Sequence, residues 1–214
     1  MKEFSLILVA YLIGSIPTAL LVSRFFFNID IRDYGSGNMG ATNTFRVLGP
    51  KFGTLVMAFD ILKGIWAVSL FNVLPHYLQN EWDRMNLMVG LGLGAVIGHI
   101  FPVFAQFRGG KGVATLFGMI LAVQPVIALS CISVFLLVLF LTRYVSLSSI
   151  IAGIALPIFV LWIWNEDVII YRIFAVLVGC MVILTHQKNI VKILNGNESR
   201  VPIFRSRLKN REES

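Results

Sequence analysis

Six long apolar runs confine this chain to a lipid bilayer. They cover Phe4 to Phe26, Phe52 to Leu74, Leu87 to Phe107, Val113 to Leu141, Leu147 to Trp164 and Ile169 to Thr185. A helix needs roughly 20 such residues to cross a hydrocarbon core about 30 Å thick. Inside lipid every backbone N–H and C=O must find a partner within the protein, and a single apolar run does so by coiling into a helix. Composition agrees, with 57% hydrophobic residues, 14% charged residues and a mean hydropathy of +0.82. An all-α integral membrane protein is expected. The first run sits where a secretory signal would, but only Lys2 leads it, and its apolar stretch exceeds twenty residues with Pro17 inside. A retained transmembrane helix is predicted there.

The fourth run, Val113 to Leu141, would measure roughly 40 Å as one helix, too long for one crossing and short for two. Gln124-Pro125 breaks it, because proline lacks a backbone donor and turns the preceding residue away from helix. Charge then fixes the count. With the break and an external amino terminus, fourteen cations lie on the cytoplasmic side, against Lys2, Arg84 and Arg172 outside. An unbroken helix gives seven inside and ten outside, and its reversal only ten against seven. The positive-inside tendency therefore predicts seven transmembrane helices, amino terminus outside and carboxyl terminus cytoplasmic. The piece before Pro125 is short for a full crossing, so local bilayer thinning or a partly re-entrant path is expected. Residues 1–186 form the membrane domain. Residues 187–214 form a basic cytoplasmic tail, with seven cations against Glu198, Glu212 and Glu213, for which attraction to anionic lipid is sufficient reason.

Three polar cassettes interrupt the hydrocarbon, and this topology puts all of them on the cytoplasmic face. In GSGNMGATN, Gly35, Gly37 and Gly40 let backbone amides converge, while Ser36, Asn38, Thr42 and Asn43 offer side-chain hydrogen bonds and Arg46 follows. That suits an oxyanion or phosphate cradle, or else an interfacial loop whose glycines merely make turns. In FRGGKGVAT, Arg108 and Lys111 flank Gly109 and Gly110, and Gly112 opens a helix. Free amides at a helix start beside two cations make an anion site; positive-inside signalling needs the cations but not the glycines. The spacing is not that of a P-loop, since Lys111 is followed by Gly112. In THQKN, Thr185 to Asn189, the i, i+3 relation puts His186 and Asn189 on one helix face. A histidine there can orient a hydroxyl, contact a phosphate or act as a base, or simply be a solvated helix end.

Other polar residues read as structural. Asp60 and Lys63, at i, i+3 spacing inside a run, neutralise one another, with bracing of the cytoplasmic pocket as the alternative. His99 and Pro102 shape a helix terminus. Pro17, Pro157, Gly90, Gly92 and Gly94 mark kinks and close helix packing. Cys131 and Cys180 lack metal spacing and read as buried small hydrophobes, so no metal site is expected.

Together, GSGNMGATN, GHIFPVFAQFRGGKGVAT from Gly98 and THQKNIVKILNGNE from Thr185 resemble, in order and spacing, the signature blocks of the bacterial PlsY-type acyl-phosphate:glycerol-3-phosphate acyltransferases. The resemblance spans nearly the whole chain. It implies transfer of a fatty acyl group from acyl phosphate to the 1-hydroxyl of glycerol 3-phosphate, giving lysophosphatidic acid and phosphate, the first step of phospholipid synthesis. It also implies seven helices in the bacterial inner membrane with the active site facing the cytoplasm. Membrane lipid, acyl phosphate and glycerol 3-phosphate are the implied partners; a monomer is implied, with no cofactor and no nucleic acid. Carried over by position, Ser36, Asn38 and Arg46 contact phosphate and hydroxyl groups, Asn43 is a further substrate-binding residue, and Gly35, Gly37 and Gly40 shape the cradle. Lys111 lies near the phosphates with the backbone of Gly109, Gly110 and Gly112. His186 and Asn189 complete the site, and Ser149 is a further contact. Gln187-Lys188 departs from the family, which often has an arginine there.

Two rival classes make different demands. Transporters place their sites near the bilayer midplane between repeated halves, and no repeat is apparent. Acyl-CoA-dependent acyltransferases would carry a His-x-x-x-x-Asp pair, which His76, His99 and His186 all lack.

Overall fold

The computed structural model describes residues 2–74 and 81–201. His76 and the far end of the tail, including Arg205, Arg207, Lys209 and Arg211, lie outside the described residues. Among the described residues there are nine α-helices and no strand: α1 (Lys2–Gly14), α2 (Thr18–Phe27), α3 (Ala41–Ser69), α4 (Glu81–Ile100), α5 (Val113–Val123), α6 (Pro125–Thr142), α7 (Val145–Ile158), α8 (Ile169–Thr185) and α9 (Gln187–Leu194). Five stretches are long and apolar enough to cross a membrane: Lys2–Phe27, Ala41–Val73, Glu81–Ala105, Pro125–Thr142 and Val145–Ile163. A sixth results if α8 and α9, bent by 57°, are taken as one. The other expected span is α5, whose 11 residues rise only about 16 Å.

Prolines and glycines set the breaks. Gln124 leaves the helical region at φ −140°, ψ 86°, and Pro125 starts α6 at the position where its missing N–H is harmless. The first apolar run is cut before Pro17 into α1 and α2. Pro157 precedes a wider helical turn over Phe159–Ile163. The second run starts earlier than its apolar residues suggest. Helix α3 begins at Ala41, and Gly49 (φ +83°, ψ 178°) then Pro50 divide a two-turn segment, residues 41–48, from the long apolar part.

Small residues bring the helices together. Gly90, Gly94 and Gly98 recur every fourth residue on α4, which runs unbroken, and their stripe takes α1: a Cβ on Gly98 would sit 2.2 Å from the Tyr11 carbonyl oxygen. Helices α3 and α5 meet the same way, where a Cβ on Gly64 would stand 2.2 Å from the Thr115 carbonyl oxygen. In lipid, where apolar burial drives little association, such close backbone approach is what holds helices together. Met88, Val96, Met119, Leu156, Tyr171, Phe174 and Val178 fill the core between α4, α5, α7 and α8. Cys131 is buried as expected, but Cys180 is exposed. It lies on the side of α8 away from Val178 and Val182, and the outward face of a membrane helix is as apolar as the inward one.

Candidate active site

The first cassette is a loop built on charges and a carboxamide. Asp30 caps the turn Ile31–Asp33 and takes Arg32 through Nε (2.9 Å) and Nη2 (2.7 Å), with Arg24 on the same carboxylate at 2.9 Å. The bond from Arg32 holds the Asp30 carboxyl well below the usual carboxylate range, against its partial burial, and Asp30 raises Arg32 in return. Gly35 and Gly37 then turn the chain at φ +62° and +71°. Asn43 is buried; its Oδ1 accepts the Ser36 amide at 2.8 Å and its Nδ2 donates to the carbonyls of Ile31 (3.3 Å) and Tyr34 (3.0 Å). Asn43, expected to bind substrate, instead uses its carboxamide to staple this loop closed. Gly40 caps α3, Ser36 is exposed and Asn38 half-buried, and Arg46 is exposed on the short segment of α3. Arg32 Nη1 reaches the Ala105 carbonyl at 3.4 Å, and Ile31 and Met39 pack in one cluster with Ala105, bringing this loop against the second cassette.

The second cassette follows a strained approach. Gln106 (φ +57°) and Phe107 (φ +58°) are consecutive left-handed residues without the freedom of glycine, a conformation that accompanies functional loops. Gly109 and Gly110 lie against the end of α4, and the Gly110 amide donates to the His99 carbonyl at 3.1 Å. Gly112, at φ +79°, caps α5. The first amides of that helix have no acceptor within it, and Lys111 immediately precedes the cap. Arg108 is exposed.

The third cassette closes the group. The 57° bend at the end of α8 places His186 at the corner, buried, where Nδ1 donates to the Val182 carbonyl at 2.8 Å. A carbonyl can only accept, so the proton is on Nδ1 and the neutral ring keeps Nε2 as an acceptor. One turn on, Asn189 Oδ1 accepts Lys111 Nζ at 2.5 Å. Asn189 Nδ2 donates to Glu198 Oε1 (2.9 Å), which also accepts Ser146 Oγ (2.8 Å). Arg46 Nη2 donates to Ser199 Oγ at 2.6 Å. The stretch carrying Glu198 and Ser199 is pinned further: Arg200 Nε donates to the Tyr144 hydroxyl (3.0 Å) and Val201 N to the Arg143 carbonyl (2.9 Å). Burial pushes Lys111 down to about 8, aided by Lys192 and Arg46 and opposed by Glu198.

Of the expected residues, the contacts gather Lys111, His186, Asn189 and Arg46 at one end of the bundle, with Gly109, Gly110 and Gly112 next to Lys111 in the chain and packed on the end of α4. Ser36 and Asn38 stand on the adjoining loop. Ser149 donates to its own helix at the Val145 carbonyl (2.9 Å), and Ser146, one turn earlier, joins the cluster instead. Glu198 was not anticipated as a participant; its only sequence signal was its place at the end of THQKNIVKILNGNE. Among the described residues, no three His, Cys, Asp or Glu side chains gather as a metal would require.

Membrane-length helices ending in a cationic, glycine-lined cluster define an integral membrane protein. The chain belongs to the glycerol-3-phosphate acyltransferase family, whose profile matches residues 4–196. It is 45% identical over 196 residues to the glycerol-3-phosphate acyltransferase of Macrococcus caseolyticus (strain JCSC5402), covering 92% of this chain and 95% of that protein. Glycerol-3-phosphate acyltransferase 2 of Bacillus anthracis is 48% identical over 195 residues, covering 91% and 97%. Among solved structures, PlsY (YgiH), an integral membrane glycerol 3-phosphate acyltransferase, superposes in its glycerol 3-phosphate form with a TM-score of 0.81 at 36% identity, covering 94% of this chain and 96% of that one. Its lysophosphatidic acid form gives 0.79 at 35% identity, with coverage of 94% and 95%.

Proposed function

We propose that this glycerol-3-phosphate acyltransferase takes its acyl group from acyl phosphate and places it on the 1-hydroxyl of glycerol 3-phosphate, releasing lysophosphatidic acid and inorganic phosphate. The observation that carries the reading is the Lys111 to Asn189 contact of 2.5 Å, which joins the second and third cassettes beside His186, with Arg46 anchored to Ser199, next to the Glu198 that Asn189 also binds. Acyl phosphate is an activated mixed anhydride. Its enzyme has mainly to hold two anions side by side, aim the hydroxyl and stabilise the oxyanion that forms on the carbonyl. In this reading Lys111 and the amides around Gly109, Gly110 and Gly112 hold one phosphate, and Arg46, Ser36 and Asn38 receive the other. His186 Nε2 orients the hydroxyl, Asn189 fixes Lys111, and Ser146 takes the part expected of Ser149. The hydroxyl oxygen bonds to the carbonyl carbon, the carbon to phosphate-oxygen bond breaks, and the leaving phosphate carries away the hydroxyl proton. The second course for the proton is His186 Nε2, since that nitrogen has a free lone pair.

The topology in this reading has seven crossings, α5 being a short one, with the amino terminus outside and the cassettes and tail cytoplasmic. The protein works as a monomer in the bacterial inner membrane, with residues 1–186 as the membrane domain and Asn189, Glu198 and Ser199 of the following stretch completing the site. The donor is tested with purified protein, glycerol 3-phosphate and either acyl phosphate or an acyl thioester. Lysophosphatidate is expected from acyl phosphate alone, and formation from the thioester alone would overturn the choice of donor. Single-turnover rates of His186→Ala against pH separate the proton routes: an acid limb, over which the rate rises with pH as the imidazole loses its proton, that vanishes with the imidazole assigns the proton to His186. Cysteines placed at positions 124 and 143 in a background free of Cys131 and Cys180 test the crossings. Labelling of position 143 from outside would remove the seven-span arrangement.

A further inference from the structure

A second polar group lies inside the helices, next to the cluster just described. Asp60 and Lys63 of α3 are 1% and 3% exposed, and Lys63 Nζ meets Asp60 Oδ1 at 2.9 Å. The same oxygen accepts Thr18 Oγ1 at 3.1 Å, and Lys63 donates to the Ile16 carbonyl (3.3 Å) at the break between α1 and α2. Pairing explains that much, because each charge alone in lipid would be costly. It does not explain the two further members. His99, in the last turn of α4, holds Nδ1 3.2 Å from Thr115 Oγ1 in the first turn of α5 and 3.7 Å from Asp60 Oδ1. Both residues are buried, and Asp60 Oδ2 has no partner among the described residues.

What His99 touches on its other side is the glycine cassette. A Cβ on Gly110 would lie 2.0 Å from His99 Nε2, so the imidazole edge rests on the Gly110 backbone. A Cβ on Gly109 would lie 2.1 Å from the His99 carbonyl oxygen, and that same oxygen receives the Gly110 amide. Glycines do not hold their own conformation. Here the ring below and the carbonyl beside them do so, and Lys111 is the next residue. Thr115, on the far side of Lys111, binds the same imidazole. The cassette is therefore clamped at both ends by one side chain, itself braced by an ion pair on α3.

We propose that His99 is a positioning residue for Lys111: held by Asp60, Lys63 and Thr115, it sets the height at which the cassette presents its amides and ammonium to a phosphate. The proposal rests on the reading that Lys111 holds a phosphate. Catalytic geometry is steep, a displacement of about 1 Å costing up to 100-fold, and a two-glycine loop without a floor would move that far.

The test is a double-mutant cycle on the full-length protein in micelles. Inorganic phosphate affinity is read from its protection against thermal unfolding, and KM for glycerol 3-phosphate is measured alongside. His99→Ala should weaken phosphate binding and raise KM by about tenfold, whereas in a Lys111→Arg background the same change should cost less than about threefold. His99→Asn, which keeps a polar atom toward Thr115 and Asp60, should recover most of the loss. Equal losses in both backgrounds, or losses that follow the melting temperature across variants, would show that His99 serves only the fold. If His99→Ala does not fold, Thr115→Val, which removes the partner of the imidazole on α5, carries the same cycle. Because phosphate binding needs no acyl donor, the choice of donor can fail without touching this result. A wild-type chain that turns over normally but shows additive losses removes the inference alone, whereas one that binds no phosphate removes both.

Discussion

Around Asp60 an ammonium, a hydroxyl and an imidazole converge on one carboxylate oxygen, and the charge pair is closed at 2.9 Å. Around Lys111 the same kinds of group are kept apart. Asn189 stands between ammonium and carboxylate, accepting from Lys111 with its oxygen and donating to Glu198 with its nitrogen. A neutral amide in that position leaves the lysine hydrogen-bonded but not neutralised, and Arg46 and Lys192 add to the excess of positive charge. Direct pairing allows a charge to exist in a membrane interior, while interposing an amide keeps a charge available to an incoming anion. The two groups share a wall, since His99 belongs to the first and supports the cassette of the second.

Removing the two lysines should break the comparison most visibly. Lys111→Met should lower kcat/KM for glycerol 3-phosphate about 1,000-fold, the scale of losing a preorganised charge at a developing oxyanion, with the melting temperature little changed. Lys63→Met should act first on stability, because it strands Asp60 in a buried site at a cost of about 3–5 kcal/mol, with a smaller loss of rate through His99. Adding Asp60→Asn to Lys63→Met should return much of that stability. Thermal unfolding and steady-state rates of the three proteins decide it. A Lys111→Met protein that melts early and a Lys63→Met protein that only loses rate would interchange the roles given to the two groups.

Asn189→Asp sharpens the contrast by turning the second group into a copy of the first. The new carboxylate would pair with Lys111, so phosphate affinity should fall about 30-fold, and the lysine should titrate higher than in the parent. An unchanged affinity would mean that the amide does no more than pack.

Much of this was legible in the chain. The break at Gln124-Pro125 follows from one missing N–H, and the Asp60 to Lys63 pair from the cost of an unpaired charge, two causes that act locally. What was not legible depends on which of several equal partners the fold supplies. Asn43 can bond a ligand or a loop with the same atoms, and only the return of α3 against residues 31–36 makes it a staple. Ser146 and Ser149 sit one turn apart on α7, and the choice between them is made by Glu198, which arrives from 52 residues downstream of Ser146. The start of α3 at Ala41 was hidden because its first two turns are amphipathic and short, and so add nothing to an apolar run. Cys180 was misjudged because hydropathy reports the membrane and not the side of the helix. Bracing of the pocket by Asp60 and Lys63 was open in the chain only as an alternative, and the role proposed for His99 would give it a route through another helix.

The smallest effect is also the most specific, because activity and stability should move in opposite directions over one pH range. Lys111 titrates near 8, below its ordinary 10.5, mainly because it is buried. Below that pH it is an ammonium and can hold a phosphate; above it, a neutral amine. For the free enzyme kcat/KM should be flat up to about pH 8 and then fall about tenfold per unit, whereas kcat, measured with phosphate already bound, should hold to higher pH. The linkage to folding has the other sign. Between the folded value and 10.5 the unfolded chain binds the extra proton, so burial of this lysine becomes less unfavourable and stability rises with pH across that window. A loss of rate with a steady or rising melting temperature therefore marks deprotonation of Lys111 rather than unfolding. Lys111→Arg keeps its charge throughout and should shift the alkaline limb beyond pH 10; if the limb stays near 8 in that variant, another group controls it.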